Sequence, residues 1–318
     1  METKSGEVGK EILVKILVTG ANGLVGNGIR AIAEQYPQHR FAFVGRKECD
    51  LMNSWSVDRL FYDCQPDAVI HTAARVGGIG RNLNSPAQQF THNILMNTFV
   101  IDAAYRYGVK KLIAFSSVCV FPDGAVLTEE NMHDGPPYPA HWSYAMSKRM
   151  VDVQLEAYKK QYGFEGCSVV PGNIFGEHDN YDLQDGHVIP CLIHKGLLAQ
   201  KSGTPLSVWG TGKARREFLY AKDVSRICVE LLERELPQRL VVSGEEEIPI
   251  GDIARKIADQ YGVDIVWDST KPDGQNARPS SKKLFRQLFP DFKFTEIDKA
   301  IEDSVKWFAG SYPNVRGV

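Results

Sequence analysis

The chain has 318 residues, roughly two domains' worth, and its 43% apolar and 24% charged side chains describe a soluble globular protein with a sizeable core. Its 37 lysines and arginines against 39 acids leave a formal charge of -2, so no basic excess suggests a nucleic-acid binder or a membrane-surface protein. The six cysteines (Cys49, Cys64, Cys119, Cys167, Cys191, Cys228) show no C-x-x-C pair and no metal-ligand spacing, so no metal is expected.

Taken in order, the first stretch, METKSGEVGKEILV, lacks the apolar core of a signal peptide and reads as a mobile extension over 1–14. No apolar run is long enough to cross a bilayer, so the expectation is a cytoplasmic protein with reduced thiols. Short β-branched runs then alternate with helix-length segments. KILVTG, FAFVG, DAVIHTAA, KLIAFSS and CSVVPGN read as strands buried on both faces, with amphipathic stretches such as Gly26–Tyr36 and Pro86–Tyr107 between them. That alternation predicts an α/β fold, a Rossmann-type doubly wound parallel sheet. Beyond Asn173 the pattern changes. FGEHDNYDLQDGHVIP is polar and too long for a simple connection, which marks it as functional. PLSVWGTGKARREFLY reads as a short strand, a glycine turn and a basic return, AKDVSRICVELLERE as a helix, and RLVVSG as a strand able to rejoin the main sheet. The remainder reads as mostly helical, giving a smaller, discontinuous C-terminal lobe.

Glycines at 20, 23 and 26 directly follow the first strand and open a helix. They permit a tight turn and close backbone approach to a pyrophosphate held at the helix N-terminus. The bare pattern is also a common turn; the flanking strand and helix favour dinucleotide binding by the loop Gly20, Asn22, Gly23, Leu24, Val25 and Gly26. At the end of the second strand, FAFVGRKECDL offers Arg46 and Lys47 and no acid at the tip. The pair could be two solvated surface charges, but cations there suit the 2′-phosphate of NADP. Domains follow: 15–174, rejoined by about 218–245, as the NADP-binding unit, and 175–217 with 246–318 as a substrate-binding lobe.

WSYAMSKRMVDVQLEAYKKQYG is a helix pattern with Tyr144 and Lys148 four residues apart on one face. An isolated Y-x-x-x-K is usually an exposed pair. After a strand ending in Ser-Ser it has more meaning: a lysine ammonium lowers the phenol pKa, and Ser117 can orient a carbonyl. Ser117, Tyr144 and Lys148 together suit hydride transfer to a ketone.

From about Lys15 almost to the C-terminus, the chain resembles the GDP-L-fucose synthases, the 3,5-epimerase-4-reductases of the extended short-chain dehydrogenase/reductase family. The pieces that carry the likeness are TGANGLVG, HTAARVGGIGRN, SSVCVFP, YAMSK, PGNIFGEHDN, DGHVIPCLIHK, VWGTGKARREF and KPDGQNAR. Departures are mild: Val118 where a small polar residue is frequent, and Lys195 where some members have arginine. The resemblance implies GDP-4-keto-6-deoxy-D-mannose as substrate, epimerised at C3 and C5 and then reduced at C4 with NADPH. It implies Cys119 and His187 as the epimerisation pair, beside Ser117, Tyr144 and Lys148. Read alone, Cys119 is a small buried hydrophobe and His187 a solvated loop residue. It further implies Asp50, Ala73, Ala74, Pro171 and Asn173 at the cofactor, and Asn173, Val188, Lys195, Trp209, Arg216 and Arg278 at the nucleotide sugar. Read alone, those are a buried tryptophan and surface charges. It implies a homodimer through Pro86–Tyr107 and Ser143–Tyr162, helices whose apolar faces could equally be ordinary core.

Two other readings remain. A 4,6-dehydratase or a UDP-hexose 4-epimerase shares the fold, but dehydratases carry an acidic pair where this chain has Val118 and Cys119, and both relatives retain NAD. A non-catalytic dinucleotide-binding protein would often lose the tyrosine or lysine, and both stand here.

Overall fold

The structure, a computed structural model, describes residues 14–271 and 277–318. The expected mobile extension lies outside the described residues, apart from Val14, which already belongs to the first strand. The first half runs β1 (Val14–Thr19), α1 (Leu24–Ile32), β2 (His39–Val44), α2 (Ser54–Cys64), β3 (Ala68–His71), α3 (Ile79–Asn84), α4 (Pro86–Arg106), β4 (Lys111–Phe115), α5 (Trp142–Tyr162) and β5 (Glu165–Pro171). The second half adds β6 (Asn173–Phe175), α6 (Val188–Ser202), β7 (Leu206–Trp209), β8 (Arg215–Tyr220), α7 (Ala221–Leu232), β9 (Arg239–Val242), β10 (Glu247–Pro249), α8 (Ile250–Tyr261), β11 (Ile265–Asp268), α9 (Lys283–Leu288) and α10 (Ile297–Ser311). Local chemistry sets several of these ends. The Asn53 side chain accepts from the N–H groups of Trp55 and Ser56 and starts α2. Pro86 opens α4, and Gly163, at φ 69°, closes α5 in the left-handed region.

Six strands form one parallel sheet in the order β2-β1-β3-β4-β5-β9. The order reverses between β1 and β3, so the carboxyl ends of those strands flank the crevice where ligands enter such sheets. RLVVSG does rejoin the sheet, as β9 beside β5. Side chains alternate between two covered faces. Ile16, Val18, Ile70, Ile113 and Val169 pack beneath α1 and α7, while Leu17, Val69, Leu112 and Ala114 pack against α2, α4 and α5. Each fully buried aliphatic side chain there contributes roughly 1.5–3 kcal/mol.

The second lobe has its own core of Ile189, Leu192, Ile193, Ile253, Ile257, Ile301, Val305 and Phe308. The strand-turn-return read at 206–220 does not close on itself: β7 pairs with β11, whereas β8 lies between β6 and β10. Nor is 246–318 all second lobe. Phe285, Phe289 and Phe292 cover the α1/α7 face of the large sheet, with Phe285 and Phe289 stacked 5.3 Å apart. Between these regions a strap crosses back, where the Leu127 N–H donates to the Pro279 carbonyl at 2.9 Å and the Ser281 N–H to the Leu127 carbonyl at 2.8 Å. Among the described residues no helix is long and apolar enough to cross a membrane.

Candidate active site

The glycine loop sits at the sheet's switch point. Gly20 has φ 73°, and a Cβ there would fall 2.5 Å from the Ala73 nitrogen, so glycine is required on both counts. At Gly26 a Cβ would fall 2.5 Å from the Gly20 carbonyl oxygen. β1 and β3 therefore end against each other, with Ala73 and Ala74 bordering the loop and Leu24, Val25 and Gly26 turning into α1. The Asn22 amide lies over Gly45 at the tip of β2, since a Cβ at Gly45 would be 2.2 Å from its Nδ2. Arg46 and Lys47 are exposed beside it, and Asp50 is exposed further on. One acid does reach this tip: the Gly45 N–H donates to the Glu48 carboxylate at 2.8 Å. Adjacency in sequence had suggested none, because Glu48 folds back over three residues.

β4 ends at Phe115, and one turn of 3-10 helix, Val118–Val120, follows with Ser117 as its cap. The Cys119 N–H donates to the Ser117 Oγ at 3.3 Å. Tyr144 and Lys148 come from α5, which packs along this segment, and they are 7% and 1% exposed. Lys148 Nζ donates to the Phe115 carbonyl at 2.8 Å, and burial draws its pKa down to about 8. The Tyr144 phenol is pushed up, chiefly by burial and by the nearby Cys119, against a hydrogen bond with Ser117. The expected lowering of the phenol by Lys148 has no counterpart here, where the ammonium is turned to a backbone carbonyl and burial outweighs it. Burial also raises the Cys119 thiol, opposed by Ser117 and by the charge of Arg278, whose Nη2 donates to the Val118 carbonyl at 3.1 Å. The cation at the thiol is Arg278.

Across the strap lies a cleft of about 250 Å3 lined by Asn173, His187, Val188, Trp209 and Arg216, among others. His187 is exposed at the start of α6. Asn173 Nδ2 donates to the Glu217 carbonyl at 3.1 Å, beside buried Pro171. Lys195 Nζ stands 4.7 Å from the ring centroid of Trp209. Burial lowers the Arg216 pKa, and the charge of Arg278 lowers it further. Five of the six residues expected at the nucleotide sugar therefore gather at or beside this cleft, while the sixth, Arg278, reaches the turn that carries Cys119.

Several neighbours escaped sequence reasoning. His141 precedes α5, its Nδ1 is buried without a partner, and burial and then the charges of Arg278 and His187 lower its pKa. Asp179, 4% exposed, feels the charge of His187. His71 lies beneath the glycine loop, 2.7 Å from Thr19 Oγ1 and 3.0 Å from Asn97 Oδ1. Arg149, 6% exposed, follows Lys148 directly. Only the last had a visible signal, a cation adjoining Y-x-x-x-K. Among the described residues no group of three or more histidines, cysteines or acids could hold a metal.

The model of the NAD dependent epimerase/dehydratase family matches residues 16–243. A GDP-L-fucose synthase of Dictyostelium discoideum is 39% identical over 310 residues, covering 95% of this chain and 97% of its own. A probable GDP-L-fucose synthase of Drosophila melanogaster is 36% identical, covering 95% and 99%. The crystal structure of a GDP-L-fucose synthetase from Naegleria fowleri bound to NADP superposes with a TM-score of 0.88 at 34% identity, over 95% of this chain and 96% of that one. The chain belongs to the NAD dependent epimerase/dehydratase family and, within it, to the GDP-L-fucose synthase family.

Proposed function

We propose that this protein converts GDP-4-keto-6-deoxy-D-mannose to GDP-L-fucose, by epimerisation at C3 and C5 and then NADPH-dependent reduction of the C4 ketone. The observation that carries the reading is the turn after β4: it brings Cys119 beside Ser117 and a buried, neutral Tyr144, and a strap links it to the cleft that holds His187. The crevice fits NADPH, because Gly20 and Gly26 leave no side chain between the loop and the ends of β1 and β3, and Arg46 and Lys47 stand exposed at the tip of β2. Bound there, NADPH supplies the hydride.

In this reading the Cys119 thiolate removes the proton from C3 and from C5, each acidified by the C4 ketone, and His187 returns a proton on the opposite ring face. The charge that builds on O4 is held by Ser117 and Tyr144. In the reduction Tyr144 gives its proton to O4 as C4 is reduced. A phenol with a raised pKa is suited to this, since it stays protonated until the alkoxide forms. Lys148 fixes the end of β4 under Ser117. Arg216, Lys195 and Trp209 take the nucleotide diphosphate end. We assign 175–217 and most of 246–318 to substrate binding, a cytoplasmic location, and a homodimer through α4 and α5.

The test is NADPH oxidation with the keto sugar, followed by NMR of deuterium entering C3 and C5. Wild-type protein is expected to do both. Cys119→Ser, which keeps size and removes the thiolate, is expected to slow deuterium entry at least about a hundredfold. No NADPH consumption with this sugar would refute the activity; unchanged exchange in the serine variant would make Cys119 core filler.

A further inference from the structure

The segment Phe115–Val120 is stitched to α5 at both ends. At its start, Lys148 Nζ donates to the Phe115 carbonyl at 2.8 Å and Ser116 Oγ donates to the Lys148 carbonyl at 3.2 Å. At its end, Arg149 Nε and Nη2 both donate to the Val120 carbonyl, at 2.8 and 2.5 Å. Arginine is a common surface residue and an expensive one to bury. Arg149 is 6% exposed, burial lowers its pKa, and the charge that opposes this comes from Asp134. A guanidinium kept in such a place with two donors on one carbonyl makes a strong, directional, charge-assisted hold. Consecutive residues of a helix point about 100° apart, so Lys148 and Arg149 can grip opposite ends of one short segment. Cys119 lies between those grips.

We propose that Arg149 is a positioning residue for Cys119, locking the thiol's turn onto the helix that carries Tyr144. The proposal rests on reading Cys119 as the epimerisation base. Its consequence is that the base of the first half-reaction and the acid of the second ride on one rigid body, as a thiol displaced by about 1 Å can cost about a hundredfold in rate. Arg278 holds the Val118 carbonyl from the strap but cannot replace this grip, because it leaves the Val120 end unfastened.

The experiment uses the full chain and three readouts. Deuterium entry at C3 and C5 reports epimerisation. Oxidation of GDP-L-fucose by NADP+ in the reverse direction reports the hydride step on a sugar already epimerised. Iodoacetamide labelling, read by mass spectrometry of the peptide containing Cys119, reports the turn without reference to catalysis. Arg149→Met, which keeps volume and removes the donors, should lower exchange at least tenfold more than it lowers reverse oxidation, and should change the labelling rate at Cys119 several-fold. Arg149→Lys, with one donor in place of two, should fall between. In a Cys119→Ser background Arg149→Met should cost exchange almost nothing further. Equal losses in both catalytic readouts, unchanged exchange and labelling, or loss of the fold in both variants would assign Arg149 to the core and overturn the proposal. Wild-type exchange by Cys119→Ser alone would instead sink the role of Cys119, and the labelling result would still decide whether Arg149 holds the turn.

Discussion

Glu48 creates an electrostatic conflict at the tip of β2. Its carboxylate occupies the Gly45 N–H beside two exposed cations, so in the proposed site a 2′-phosphate would meet attraction from Arg46 and Lys47 and repulsion from Glu48. Two cations against one acid should still favour NADPH over NADH by more than about tenfold in kcat/KM, about 1.4 kcal/mol. Glu48→Gln is expected to widen that ratio and Arg46→Asp to narrow it. Equal specificity constants for the two nucleotides in the wild type would show that neither cation reads the phosphate. A second residue-scale expectation concerns Tyr144, whose burial keeps its proton in place. Tyr144→Phe should abolish NADPH oxidation while C3 and C5 continue to exchange with deuterated water, more slowly because Ser117 alone then holds the charge on O4; near-normal reduction by the variant would remove Tyr144 from the mechanism.

α5 is the element on which most of the site hangs. It presents Tyr144 and Lys148 to the end of β4, and Arg149 to the turn beyond. It also pairs with α4, where Gln154 Nε2 donates to the Thr98 carbonyl, and on its outer side Val153 is 44% exposed, as Phe90 of α4 is 39% exposed. If these helices form the subunit interface, Val153→Glu should shift the protein toward monomer in sedimentation velocity with its secondary structure unchanged by circular dichroism. An unchanged dimer would move the interface elsewhere. Such elements are the ones sequence exposes best. Apolar runs and helical spacing give β1 to β5, α4 and α5 within a few residues, because the inner strands are buried on both faces and read as continuous apolar runs, while the edge strand β2 keeps the same β-branched and aromatic character though only half-buried. What escaped has a physical reason too. Glu48 acts through folded-back chain, the hold of Arg278 on the Val118 carbonyl through a contact 160 residues apart, His71 and Asp179 through tertiary burial, and β7 and β8 chose partners distant in sequence over each other. None of these leaves a local pattern.

At the scale of the molecule, burial of polar groups sets the response to acid. With Nε2 protonated, neutral His71 donates to Asn97 and accepts from Thr19, and burial and the nearby charge of Lys148 bring its pKa down to about 3. The folded value lies below the ordinary one of about 6.5, so the unfolded chain takes up the proton first. The stabilisation from neutral His71 is therefore complete above about pH 6.5 and is lost as pH falls toward 3, at up to roughly 1.4 kcal/mol per pH unit. Urea unfolding between pH 6.5 and 4.5 should show a shallower loss of stability for His71→Gln than for wild type; parallel losses would place the acid sensitivity elsewhere. The core that these groups sit in is also distributed along the chain. One face of the large sheet is covered by α1 and α7, and by Phe285, Phe289 and Phe292, which come after the second lobe's α8 and β11. A ribosome delivers the last strand of that sheet, β9, well before its final cover. During synthesis the finished strands must wait with part of one apolar face uncovered, so the nascent chain presents a sticky surface to chaperones until Phe285, Phe289 and Phe292 emerge.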